Sequence, residues 1–177
     1  MTEYLYNHDE NVEIPRPNLG QKILVADLDG TIADDTVRAR NIDMLDKNFG
    51  REAITDETWR HYFHRCDEDT PIHNTVVTMR ALKDAGWYIL ILTSRCSSVR
   101  SKTVQWLKER AVPYDALVMR DHTDIGRGGR TFKKQVMRGM PNLFRGMVRL
   151  VLEDRKALVN MWRSEGYTCW QVNEGTH

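Results

Sequence analysis

The chain predicts an α/β fold: a parallel sheet flanked by helices, with a small helical insertion near its start. Three observations carry this. Strand-length segments rich in apolar residues recur at Ile23–Ala26, Trp87–Thr93, Ala116–Met119, Val148–Leu152 and Tyr167–Val172. Segments with apolar residues at helical spacing lie between them. Strands separated by helices join through right-handed crossovers, which makes their sheet parallel.

The elements follow in order. Residues 1–20 hold Pro15, Pro17 and Gly20 and little apolar periodicity, and read as an arm on a 21–177 core. Ile23–Ala26 is the first strand. Asn74–Ala85 has helical spacing through Val76, Val77, Met79 and Leu82 and stops at Gly86. Trp87–Thr93 is the second buried strand and Val99–Arg110 the next helix. Ala116–Met119 is a short strand, and Lys133–Arg138 opens another helix. Val148–Leu152 is a strong strand, Arg155–Glu165 a helix that stops at Gly166, and Tyr167–Val172 a last strand. Residues 33–70 interrupt the alternation. Asp56 suits an N-cap, and Trp59, Tyr62 and Phe63 follow at helical spacing. This segment is expected to sit over the carboxyl ends of the strands.

At 177 residues the chain is expected to be one domain. It has no apolar run long enough to span a bilayer, and Met1–Asn11 is polar with no signal-peptide pattern. Cys66, Cys96 and Cys169 lack metal-ligand spacing and fit a reduced, cytoplasmic setting. A net charge of +1 argues against bulk nucleic-acid binding. That charge is unevenly spread. Asp27–Thr70 carries twelve acids and six Lys/Arg, whereas Arg120–Arg149 carries eight Lys/Arg and two acids. The second stretch reads as a local anion surface.

The chemistry concentrates at strand ends. Asp27-Leu28-Asp29-Gly30-Thr31 directly follows the first strand, where open α/β sheets bind ligands. One carboxylate can attack phosphorus. The other can protonate a leaving group and later take a proton from water. Gly30 allows a sharp turn, and Thr31 can hydrogen-bond a carboxylate or cap the turn. Thr93 ends the second strand with a hydroxyl fit to donate to a phosphoryl oxygen, and Arg95 supplies a guanidinium for phosphate. Lys133 and Lys134 precede the fourth strand, which ends in Glu153-Asp154. Such paired acids suit Mg²⁺.

Asp-x-Asp-Gly-Thr after a first strand resembles motif I of the haloacid dehalogenase (HAD) superfamily of phosphotransferases. The resemblance implies a Rossmann-like core, with residues 33–70 as a cap that shields the site. It makes Asp27 the nucleophile that forms an aspartyl-phosphate, and Asp29 the acid/base. Thr93 matches motif II. Either Lys133 or Lys134 is the motif III lysine that bridges Asp27 and the phosphate. The spacing to Glu153 and the preceding apolar residue favour Lys134 as catalytic, with Lys133 and Thr31 as substrate contacts. Glu153 and Asp154 match motif IV, which holds Mg²⁺ together with the nucleophilic Asp and a backbone carbonyl, and Asp27, Asp29, Asp154 and Glu153 are the expected metal residues.

Further segments resemble the 3′-phosphatase domain of bacteriophage-type polynucleotide kinase/phosphatases. They are Cys66-Asp67-Glu68-Asp69, the Lys102-Thr103…Trp106-Leu107 helix, Leu117-Val118-Met119-Arg120, and Met161-Trp162-Arg163…Gly166…Cys169-Trp170-Gln171-Val172. The resemblance covers roughly residues 22–176. It adds Arg38 and Arg95 as contacts to the substrate phosphate. Around Asp124–Arg130 the chain departs from it, with Gly129 or Arg130 near an expected Asp. No Gly-x-x-x-x-Gly-Lys-Ser/Thr string occurs, so no P-loop is expected.

The resulting expectation is a Mg²⁺-dependent phosphomonoesterase acting on 3′-phosphorylated DNA or RNA ends in nucleic-acid repair. A separate kinase or ligase is the implied partner, and no membrane is. Free nucleotides or other small phosphate esters are the alternative substrate, favoured by the near-neutral charge and the long insertion. The rival of another class is a catalytically idle HAD fold used as a binding module. Asp27, Asp29 and the acidic pair at 153–154 argue against it.

Overall fold

A computed structural model describes residues 15–124 and 128–175. Its centre is a five-stranded sheet. The strands are β1 (Ile23–Ala26), β4 (Tyr88–Cys96), β5 (Ala116–Arg120), β6 (Val148–Glu153) and β7 (Cys169–Gln171), in the spatial order β5-β4-β1-β6-β7. Every neighbouring pair is parallel. All five strands therefore end at one edge, and β1 lies in the middle of it.

Alternation along β1 divides the apolar core in two. Leu24 and Ala26 join a cluster with Met79, Trp106 and Leu107 on one face. Ile23 and Val25 join Val136, Leu158 and Trp162 on the other. Helices α3 (His73–Asp84) and α4 (Arg100–Glu109) cover the first face. Helices α5 (Gly129–Gly139), α6 (Asn142–Met147) and α7 (Lys156–Ser164) cover the second. Both faces are thus sealed, as near-continuous apolar strands require. Helix α6 has no counterpart in the sequence periodicity, because at 6 residues it is too short to show any.

The insertion is framed by an antiparallel pair, β2 (Ala33–Asp34) with β3 (Thr70–Pro71). Between them lie α1 (Thr36–Phe49) and α2 (Asp56–His64). Helix α2 is capped by Thr55, not by Asp56 as the sequence suggested. The Thr55 hydroxyl accepts from Thr58 N–H, and the Thr58 side chain accepts from Thr55 N–H. This reciprocal box satisfies two orphan donors and leaves Asp56 in the first turn, where the helix dipole favours it. Most of the expected arm, residues 1–14, lies outside the described residues. Pro15 is within them, and its carbonyl accepts from the Tyr88 hydroxyl at 2.6 Å. Among the described residues no helix is long and apolar enough to cross a membrane.

Candidate active site

The carboxyl edge of β1 and β6 gathers three acids and one base in a buried cluster. Asp27 follows β1 directly. Its backbone N–H donates to Leu152 of β6 at 3.0 Å, which locks the two strand ends together. Lys133 Nζ sits 2.8 Å from Asp27 Oδ2 and 2.8 Å from Glu153 Oε2. Trp162 Nε1 donates to the same Glu153 oxygen at 3.4 Å. Asp154 follows, with Oδ1 accepting from the Thr31 hydroxyl at 3.2 Å. Gly30 makes this approach possible. Its φ is +76°, and a Cβ there would stand 2.4 Å from Asp154 Oδ2.

The lysine of this cluster corrects the sequence expectation. Lys134 points away from the site and pairs with Glu165 at 2.6 Å on the outer face. The reason is helical phase. Phe132, Lys133, Val136 and Met137 form the buried face of α5, and one residue further turns the side chain about 100° toward solvent.

Oxygens of Asp27, Glu153 and Asp154 lie within 4.8 Å of one another. Burial pushes the Asp27 carboxyl up to about 8, with the charge of Glu153 adding and Lys133 opposing. Burial raises Asp154 to about 6, with Asp27 adding. The opposing charges of Asp27 and Glu153 outweigh burial and hold the Lys133 ammonium above its usual value. Three carboxylates against one ammonium leave surplus negative charge on hard oxygen donors. That donor set fits Mg²⁺. The Asp29 side chain stands outside the set, so only its backbone carbonyl is available for the metal role expected of it.

Asp29 is instead gripped by cations. Arg38 Nη2 and Arg95 Nη2 both donate to its Oδ1, and Arg95 Nε adds a bond at 3.1 Å. Burial alone would raise the Asp29 pKa, but the two guanidinium groups outweigh it and hold the carboxyl well below the usual range. The expected phosphate-binding arginines thus converge at the site, on Asp29. A residue given no role at the sequence level holds them there. Asp69 takes Arg38 at two points and Arg95 Nη2 at 3.3 Å. Its carboxyl is buried and raised to about 6 by that burial, against the opposing effect of Arg38. The Tyr62 ring lies 4.0 Å from the Arg38 guanidinium carbon, which packs α2 against the arginine that reaches Asp29. The signal for Asp69 was present as an acid directly before β3, but acids before strands are common and only the fold pairs it with Arg38.

Thr93 is fully buried, and its hydroxyl accepts from the Arg95 backbone N–H at 3.0 Å. It lines a cavity of about 330 Å³ together with Asp27, Asp29 and Asp154. The insertion forms one wall through Arg51, Trp59, Tyr62 and Phe63. Trp59 stacks on Phe63 at 6.0 Å and 24°, and Arg51 lies 5.5 Å from the Trp59 ring. The cavity thus joins a cationic, carboxylate-bearing floor to an aromatic wall.

A family model described as the polynucleotide kinase PNKP phosphatase domain matches residues 50–177. No sequence match to a curated protein was found. Among solved structures, a chain of a Pnkp1/Rnl/Hen1 complex superposes with a TM-score of 0.65 at 24% identity, over 97% of this chain and 53% of that one. The HAD-like family hydrolase SP0104 from Streptococcus pneumoniae gives 0.56 at 13% identity, over 85% and 83%. A HAD-hydrolase YfnB from Bacillus subtilis, bound to magnesium, gives 0.57 at 14%, over 85% and 88%. These likenesses establish the fold. The chain spans about half the length of the Pnkp1 complex chains it resembles.

Proposed function

The chain belongs to the family of polynucleotide kinase PNKP phosphatase domains, and from that premise we propose that this HAD-type phosphatase removes 3′-phosphates from nucleic-acid ends through an aspartyl-phosphate. One observation carries the reading: buried Lys133 bridges Asp27 and Glu153 at 2.8 Å each, beside Asp154. A carboxylate attacking a phosphate needs its repulsion cancelled, and this arrangement does that.

Asp27 would attack phosphorus in line and expel the ester oxygen. Asp29, having taken a proton from solvent as the arginines leave it, would hand that oxygen the proton. It would then take a proton from the water that cleaves the acyl phosphate, so that inorganic phosphate leaves, Asp27 is again a carboxylate and Asp29 is again protonated. For this the arginines must shift from Asp29 toward the phosphate oxygens, which lets the Asp29 pKa rise. Thr93 would donate to an equatorial oxygen, and Lys133 would hold Asp27 oriented. Asp27, Asp154 and the Asp29 carbonyl would hold Mg²⁺, with Glu153 acting directly or through water. The metal supplies charge neutralisation at the phosphoryl oxygens. The insertion would serve as a cap over the site.

Nucleic-acid 3′ ends are the preferred substrate because of the family and the basic 120–149 stretch. Free nucleotides are a second reading, favoured by a cavity of about 330 Å³ with an aromatic wall. A separate kinase or ligase fits as a partner in end repair. The test is phosphate release, with Mg²⁺ or EDTA, from a 3′-phosphorylated oligonucleotide and a set of mononucleotides. Hydrolysis should need Mg²⁺ and favour the oligonucleotide. Turnover by Asp27→Asn protein would sink the nucleophile assignment.

A further inference from the structure

The insertion side of the cavity carries a carboxylate that the chemistry above does not use. Asp35 is buried, lines the cavity and stands at the N-cap position of α1. An aspartate in that position ordinarily turns its side chain back to accept from the first N–H groups of its helix. Asp35 makes no such bond. The exposed Asp34 accepts from the Thr36 N–H instead, at 3.1 Å. Asp35 Oδ2 accepts from the Tyr62 hydroxyl of α2. The direction of the Asp35 side chain is therefore set by α2 and the cavity, not by its own helix.

The pair stands beside the reacting centre. The Tyr62 ring lies 4.0 Å from the guanidinium carbon of Arg38, whose Nη2 donates to Asp29. Burial raises the Tyr62 hydroxyl pKa well above its usual value, with the charge of Asp29 adding, that of Arg38 opposing and that of Asp35 adding. The hydroxyl thus keeps its proton and donates it to Asp35, and Tyr62 is close enough to Asp29 to feel its charge. An ionised carboxylate offers about four lone-pair sites, of which one phenolic hydrogen takes one. The pair therefore adds acceptors, not donors, to the cavity wall. Acceptors repel phosphate oxygens and attract a hydroxyl hydrogen.

On the proposed mechanism Asp29 protonates the ester oxygen on the 3′ carbon of the sugar. In ribose the neighbouring 2′ carbon carries a hydroxyl, and in deoxyribose it carries only hydrogen. A 3′-phosphorylated ribose thus brings one neutral donor next to the oxygen that Asp29 serves, and that hydroxyl is what distinguishes RNA from DNA at such a site.

We infer that the Asp35 carboxylate, held by the Tyr62 hydroxyl, accepts a hydrogen bond from the sugar hydroxyl vicinal to the reacting ester and so selects ribose over deoxyribose ends. This rests on the phosphatase reading and narrows its substrate class to 3′-phosphorylated RNA. Asp35 is the specificity residue, and Tyr62 positions it.

The test compares kcat/KM for three oligonucleotides of one base sequence, whose 3′-phosphorylated residue is a ribonucleotide, a 2′-deoxynucleotide or a 2′-fluoronucleotide. Wild-type protein should favour the ribose end over the deoxyribose end by about tenfold or more, the size of one hydrogen bond to a charged group. The 2′-fluoro sugar keeps the ribose pucker but cannot donate, so it should be hydrolysed as slowly as the deoxyribose. Asp35→Asn should narrow the ribose-to-deoxyribose ratio to about threefold or less, because it replaces a charge-assisted bond by a neutral one. A ratio near one in the wild type overturns the inference. So does hydrolysis of the 2′-fluoro end at the ribose rate, or an Asp35→Asn protein that slows on both ends alike and keeps the wild-type ratio, as a merely structural role would have it. If Asp35→Asn fails to fold, Tyr62→Phe carries the same test, since it keeps the ring against Arg38 and frees the carboxylate from its hydroxyl. A narrowed ratio there supports the pair, and an unchanged ratio overturns it. Equilibrium binding of the ribose and deoxyribose ends to Asp27→Asn protein reads the contact without turnover. A ribose preference in binding, with no hydrolysis of any substrate by the wild type, would end the phosphatase reading while supporting the hydroxyl contact.

Discussion

Asp69 holds Arg38 at two points, Nε to Oδ1 and Nη2 to Oδ2, each at 2.8 Å. The pair is buried, and Arg38 reaches Asp29 with the same Nη2. On the proposed mechanism Asp69 is a positioning residue for the guanidinium that would meet the phosphate. Asp69→Asn keeps the shape but removes the charge. We expect kcat/KM to fall by about 100-fold, because a misplaced donor forfeits most of its effect on the transition state. Phosphatase kinetics on the folded variant check this, and wild-type rates would remove Asp69 from the site.

The neighbouring lysines should separate cleanly. Lys133→Ala leaves Asp27 and Glu153 buried without their cation. Breaking a buried pair from one side costs about 3–5 kcal/mol, and activity should drop by at least about 100-fold. Lys134→Ala removes a partly exposed contact to Glu165, for which about 0–1 kcal/mol is usual, and should keep activity within about twofold. Denaturant melts and phosphate release on both variants decide it. The reverse ranking would restore Lys134 to the site.

Metal and pH are linked through the same carboxylates. Folded-state pKa values of about 8 for Asp27 and about 6 for Asp154 and Asp69 lie above the usual 3.8. The metal-free fold thus favours their protonated forms. That contribution is full below about pH 4 and is lost as pH rises toward about 8. Mg²⁺ needs Asp27 and Asp154 ionised, so its binding displaces protons and tightens with pH. Melting temperature measured from pH 5.5 to 8 should fall without metal. The gain from added Mg²⁺ should grow over the same range. A gain independent of pH would place the metal elsewhere.

Trp59 tests the aromatic wall. If a base rests there, Trp59→Ala should raise KM for a nucleotide by about fivefold or more, in line with one stacking contact. A small alkyl phosphate should respond little. Equal effects on both substrates would mean that Trp59 only packs the insertion against the core.

The acid pair at Asp27 and Asp29, the strand-end Thr93 and Arg95, and the acids at 153–154 were legible because each directly ends an apolar run. Residue type and one-dimensional spacing suffice there: a strand end projects its next residues into the crevice. The inner strands were legible for the same reason, since burial on both faces leaves apolar runs in the chain, whereas edge strand β7 has Trp170 and Gln171 exposed. What the tertiary structure alone decided is which side chains meet. Lys133 rather than Lys134 faces Asp27, because helical phase depends on where α5 packs. Asp69 holds Arg38 across 31 residues, and Ser94 and Arg155 both come up against Gly129. Such pairings join residues from separate elements, and no local period in a sequence records them.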